Sequence, residues 1–182
     1  ERPVPTDWGA RASYAPDGSK MAFTRHPAPW SRKHYRGSYA ADLWVMEVAS
    51  KKFTRLGNEE YKGNRLWPMY ARNGEIYFVS NQVENEKNIQ FGGAAVMKSV
   101  NNIWKISDKG GKETQVTHHG DGNLFFPSIS ADGKTIVYED NFGLWKLDTA
   151  TGKNSEIVIE IKADSKENDR ELVTLSEAQA FS

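Results

Sequence analysis

The chain contains no cysteine, which removes disulfides and thiolate chemistry and leaves imidazole and carboxylate as the only strong metal ligands. Net charge is also lacking. Lys and Arg number 24 against 24 Asp and Glu in 182 residues, so no global field draws the molecule to nucleic acid or to an anionic membrane. Long apolar runs are missing too. Stretches such as IYFV at 76–79 fall far short of the roughly 20 residues that a membrane-spanning helix needs. Neither nucleic acid nor membrane is expected as a partner. The sequence starts at Glu1 with no charged, apolar, small-residue leader, so a piece of a longer chain is expected and the compartment stays open between cytoplasm and periplasm. Against these absences stand 8 Phe, 7 Tyr and 6 Trp, too many for a disordered chain.

Self-similarity organises what is present. Three segments share one pattern: RASYAPDGSKMAF at 11–23, WPMYARNGEIYFV at 67–79 and FPSISADGKTIVY at 126–138. Each reads as strand, turn, strand, with Asp17-Gly18, Asn73-Gly74 and Asp132-Gly133 as hairpin signals. A third strand follows in each unit, DLWVMEV, NIWKIS or GLWKLD, which places Trp44, Trp104 and Trp145 in equivalent positions. A polar turn and a fourth strand complete the unit: FTRL, TQVT or SEIVIEI.

The spacing supports the repeat independently of the letters. Position 44 to 73 is 29 residues and 104 to 132 is 28, whereas the turn-to-Trp distances are 27, 31 and 13. Insertions at 26–41 and 81–100 account for the difference. Without them a unit has about 41 residues, the size of a four-stranded propeller blade. A sandwich of short hairpins would show turns at similar intervals, but the repeat favours blades. The expected fold is therefore all-β: a partial β-propeller of about three four-stranded blades over 1–161. Residues 162–182 open with KADSKENDRE and read as a linker leading into a following unit. Three blades cannot close a ring of four to eight, so partners complete it or the chain is an excerpt.

The units YAPDGSKMAF and SADGKTIVYE, each followed by LWV or LWK and a polar turn, resemble the TolB-type propeller repeat. The longer strings, from RHPAPWSRKHYRGSYAADLWVMEVASKKFTRL to VTHHGDGNLFFPSISADGKTIVYEDNFGLWKLD, are similar to the N-terminal propeller of tricorn-type serine peptidases. That resemblance implies a parent with a six-bladed propeller, a seven-bladed one, a PDZ-like module and a C-terminal peptidase domain, assembled as a large oligomer. The family's catalytic Ser, His and Glu lie in that last domain, and no residue here matches them. The implied role is a non-catalytic scaffold and substrate gate for peptides, with the other domains of the parent as partners. The alternative is a TolB-like protein-binding module, free-standing or fused to another enzyme.

The candidate ligand site is the first insertion, HPAPWSRKHYRGSYAA, which has no carboxylate before Asp42. Trp30, Arg32, Lys33, His34 and Arg36 could grip a carboxylate or phosphate by charge-assisted hydrogen bonds while stacking on an apolar chain. Docking onto a neighbouring domain is the competing role. Both insertions join second and third strands and should project from one end of the blades. The second, with FGGAAVM at 91–97, could contact peptides or a sister subunit, or pack on its own blade. Catalytic residues, metal and cofactor are not expected. His118 and His119 are read as part of a turn, the glycines at 120 and 122 lack the strand-to-helix context of a phosphate cradle, and Glu139-Asp140 is read as a solvated pair.

Overall fold

The computed structural model describes residues 4–26, 35, 37–57, 64–82 and 100–160. Among these residues, twelve strands form three four-stranded antiparallel sheets, each with its strands in chain order. Blade 1 contains β1 (Gly9–Tyr14), β2 (Lys20–Arg25), β3 (Asp42–Glu47) and β4 (Phe53–Arg55). Blade 2 contains β5 (Arg65–Tyr70), β6 (Glu75–Ser80), β7 (Asn102–Ser107) and β8 (Thr114–Gln115). Blade 3 contains β9 (Leu124–Ile129), β10 (Thr135–Asp140), β11 (Gly143–Asp148) and β12 (Asn154–Glu156). The first strands β1, β5 and β9 lie against one another in succession, which makes them the inner edge of a partial β-propeller. Residues 162–182, expected as a linker and the start of a further unit, lie outside the described residues.

The first hairpins show how the sequence sets the turns. The glycine takes positive φ in each, 71° at Gly18, 81° at Gly74 and 75° at Gly133. The preceding residue does not. Its side chain caps the turn instead: Asp17 Oδ1 accepts the Ser19 N–H at 2.9 Å, Asn73 Oδ1 that of Glu75 at 3.1 Å, and Asp132 Oδ1 that of Lys134 at 3.0 Å. The Asp-Gly and Asn-Gly pairs thus build a turn in which the acid or amide stands in for a backbone acceptor. The hairpin with positive φ at both central residues is β10–β11, through Asn141 and Phe142, where blades 1 and 2 carry their insertions.

The three Trp residues occupy one register position, as the repeat demands. Trp44 pairs with Phe23, Trp104 with Phe78 and Trp145 with Tyr138. Period-two alternation then decides what each sheet face touches. From blade 2, Ile76, Phe78, Trp104 and Ile106 pack on Ala22, Leu43 and Val45 of blade 1. On the opposite face, Tyr77, Val79, Ile103 and Leu66 pack on Leu124, Ile136, Tyr138 and Leu147 of blade 3. This is why the middle strand β6 reads as the unbroken apolar run IYFV: it is buried on both faces. Each of these side chains contributes on the order of 1.5–3 kcal/mol. The corresponding face of blade 1, with Met21, Phe23, Trp44 and Met46, points away from blade 2 and packs with Val4 and Phe53. Fourth strands are shorter than expected: β12 spans Asn154–Glu156 and so takes in only the first two residues of SEIVIEI, and Val158 and Ile159 are exposed.

A buried ionic clamp joins blades 1 and 2. Arg65, at the start of β5, is fully buried and donates to both carboxylate oxygens of Glu113 at 2.6 and 3.1 Å. Its Nη1 also lies 3.4 Å from Asp42 of β3. Gly57 permits this approach, since a Cβ there would sit 2.4 Å from Glu113 Oε1.

Candidate functional site

The inner edge carries a feature that repeats with the blades. Each first strand has a register break against its neighbour: between Ala10 and Ser13, between Leu66 and Met69, and in β9 opposite Val137 and Glu139. The residue inside each break has positive φ: Arg11 at 54°, Trp67 at 50° and Phe126 at 49°. Bulky residues avoid this region, and each instance costs on the order of 1–3 kcal/mol that the surrounding packing must offset. A bulge re-aims a side chain away from strict alternation. Here the three re-aimed side chains meet. The Arg11 guanidinium sits 4.5 Å from the Trp67 ring centre, and the Trp67 and Phe126 rings stand edge to face at 5.9 Å. Arg11 and Phe126 are exposed and Trp67 is half-buried.

The basic insertion springs from the end of the blades where β1, β5 and β9 begin. Trp30, Arg32, Lys33, His34 and Arg36 lie outside the described residues, as do 83–99 of the second insertion. The first insertion's described flanks form an aromatic collar: Tyr39 meets Trp8 edge to face at 6.5 Å and His26 at 6.0 Å. Trp8 and Tyr39 are exposed.

At that same end, a polar cluster seals blade 2 to blade 3. Asn102 holds the His119 backbone at both ends: its Oδ1 accepts the His119 N–H at 2.8 Å, and its Nδ2 donates to the His119 carbonyl at 3.1 Å. The imidazole is thereby aimed into blade 3, with Nδ1 3.1 Å from Asp140 Oδ2 and Nε2 2.9 Å from the Tyr138 hydroxyl. Asn154 Nδ2 donates to that hydroxyl at 3.1 Å, and the Trp145 ring walls the imidazole at 5.1 Å.

This corrects the sequence-based expectation that Glu139-Asp140 is solvated: Asp140 is 3% exposed. Alternation turns Asp140 inward beside Tyr138, and Gly122 lets the connecting loop close over it, since a Cβ there would lie 2.9 Å from Asp140 Oδ1. Burial raises the Asp140 carboxyl above its usual range, with His119 opposing and Asp121 reinforcing the shift. Burial likewise pushes the Tyr138 phenol up to about 12. The order carboxylate, imidazole, hydroxyl is that of an acyl-transfer triad. Its hydroxyl, however, belongs to a side chain only 1% exposed, so no substrate carbonyl can reach it. The cluster serves as a latch between blades. His119, read from sequence as part of a turn, supplies its centre.

The residues that sequence reasoning missed divide into two kinds. Arg11, Trp67 and Phe126 open the three repeat segments, so alignment of the units brings them together on paper. The His119 to Asp140 contact has no such signal, because it crosses between blades.

Comparison with known proteins places this geometry. Residues 1–153 match the model of the tricorn protease N-terminal β-propeller domain. A tricorn protease homolog of Saccharolobus solfataricus is 23% identical over 145 residues, which are 80% of this chain and 12% of that protein. The crystal structure of the tricorn protease superposes with a TM-score of 0.59 at 15% identity, again over 80% of this chain and 12% of the other. A TolB-like protein of Agrobacterium tumefaciens superposes with a TM-score of 0.59 at 18% identity, covering 84% of this chain and 50% of the other. The chain thus spans about an eighth of the length of its tricorn relatives. A four-stranded repeat with its first strands on a common edge, matched over most of its length by one family model, settles the family: the chain belongs to the tricorn protease N-terminal β-propeller domain family.

Proposed function

We propose that the chain is a non-catalytic scaffold and substrate gate of a tricorn-like peptidase, guiding peptides while hydrolysis takes place on other domains of the parent protein. The observation that carries this reading is the family match over residues 1–153. The sealed Tyr138 hydroxyl supports it, because the one carboxylate–imidazole–hydroxyl chain among the described residues is closed to substrate. In this reading Arg32, Lys33 and Arg36 of the first insertion hold a peptide carboxylate, with Trp30 and His34 beside them, and the parent works as an oligomer.

The test is capture of labelled, unstructured peptides by the chain and by its Arg32→Ala, Lys33→Ala, Arg36→Ala triple variant, followed by fluorescence anisotropy. Peptides with a free C-terminal carboxylate should bind the variant more weakly than the parent chain, and the difference should shrink as salt rises, because it is a charge effect. Equal capture at low salt would refute the role of the loop. The likeness to a TolB-like protein supports a second reading, a protein-binding module. It predicts capture of a folded partner and indifference to unstructured peptides in the same experiment.

A further inference from the structure

We infer that the Arg11, Trp67 and Phe126 row is a binding strip for extended peptides carrying an aromatic side chain and a carboxylate two residues apart. The inference rests on the peptide-handling reading and gives it a sequence preference.

Each end of the row has an unused capacity. Arg11 rests its guanidinium on the Trp67 ring at 4.5 Å, yet no carboxylate pairs with it among the described residues. Stacking occupies the flat face of a guanidinium and leaves its rim of N–H donors for an anion. At the other end, Phe126 meets Trp67 at 5.9 Å and Phe125 at 5.8 Å and still stays 68% exposed, so ring surface remains for a further aromatic group.

Spacing fixes the ligand. The two contact distances place the cation and the Phe126 ring no more than about 10 Å apart. In an extended chain, residues i and i+2 point to one side and lie about 7 Å apart at their Cα atoms. Side chains of that pair reach both ends at once, whereas i and i+1 point to opposite sides. The row runs across β1, β5 and β9, so a peptide lying on it crosses the strands and is held by its side chains. The same backbone distortion recurs in all three blades, which presents one side chain from each first strand to the row. The carboxylate could be an Asp or Glu side chain or a free C-terminus, and both present the same oxygens to Arg11.

The experiment is a peptide panel titrated against the full chain by isothermal calorimetry: Phe-Gly-Asp, Ala-Gly-Asp and Phe-Gly-Asn in an acetylated, amidated frame, and Phe-Gly-Gly with a free or amidated C-terminus. The chain should favour Phe-Gly-Asp over both controls by roughly three- to tenfold, the scale of one aromatic pair. A matching preference for free over amidated Phe-Gly-Gly would identify the C-terminus as the source, and its absence the side chain. Phe126→Leu, which keeps the bulk and loses the π face, should abolish the Phe preference. Arg11→Gln should abolish the Asp preference. Preferences that persist in these variants, or that are absent from the parent chain while it still captures peptides through the insertion, would overturn the strip and leave the gate reading standing. A parent chain that captures no peptide at all would overturn both.

Discussion

Replacement of Trp104 by Ala tests the stacking of blades in a quantity that can be worked from the structure. Trp104 is 4% exposed, pairs across the ladder with Phe78, and lies in the cluster that joins blade 2 to Ala22, Leu43 and Val45 of blade 1. A side chain of this size removes about 150–250 Å² from water, and truncating a buried aromatic costs about 3–5 kcal/mol. The indole N–H has no hydrogen-bond partner among the described residues, so losing it relieves a desolvation cost and places the expected loss toward the lower end of that range. Trp44 holds the same register position in blade 1 but faces away from blade 2 and stacks on Arg25 at 5.0 Å. With one packing partner missing, Trp44→Ala should cost about 1–2 kcal/mol. Against a total stability of about 5–15 kcal/mol, the two variants are easily distinguished. Urea unfolding of the 182-residue chain, followed by far-ultraviolet circular dichroism, should show a much lower midpoint for Trp104→Ala, with Trp104→Phe recovering most of the loss. A midpoint for Trp44→Ala as low as that for Trp104→Ala would refute the assignment of faces.

Three further outcomes follow from the polar joints. Arg65→Met leaves Glu113 and Asp42 without their shared cation, and removing one partner of a buried ion pair costs about 3–5 kcal/mol, which thermal unfolding will show. Gly57→Ala should destabilise by the same clamp, since its φ is 91° and its Cβ would meet Glu113; an unchanged melting temperature would contradict the geometry. Asp140→Asn tests the latch through pH. The folded carboxyl is raised above 3.8, chiefly by burial, so its protonated form is favoured in the folded state. Its contribution to stability is greatest below pH 3.8 and is lost as pH rises through the raised value. The Asn variant should therefore lose less stability than the parent chain over that rise. A parallel pH dependence in the two would show that Asp140 is not the group responsible.

How much was legible in the sequence depended on the range of each interaction. Strand, turn and register depend on neighbours a few residues apart, so the Asp-Gly and Asn-Gly turns and the matched Trp44, Trp104 and Trp145 follow from spacing alone. The structure adds how those turns are held: Asp17 and Asp132 cap them with a carboxylate and leave positive φ to the glycine. Asp140 reads as a solvated neighbour of Glu139 until blade 2 delivers His119 against it. The row of Arg11, Trp67 and Phe126 was visible as three aligned letters with no shared chemistry. Their meeting depends on a backbone bulge in each blade that composition does not encode.

If peptides are handled at the inner edge of the propeller, as proposed, the point at which a bound peptide touches the chain decides it. A peptide bearing a photoreactive benzophenone, irradiated in complex with the protein and mapped by mass spectrometry, should mark β1, β5, β9 and the insertion at 26–41. Adducts concentrated on the outer strands β4, β8 and β12 would contradict it.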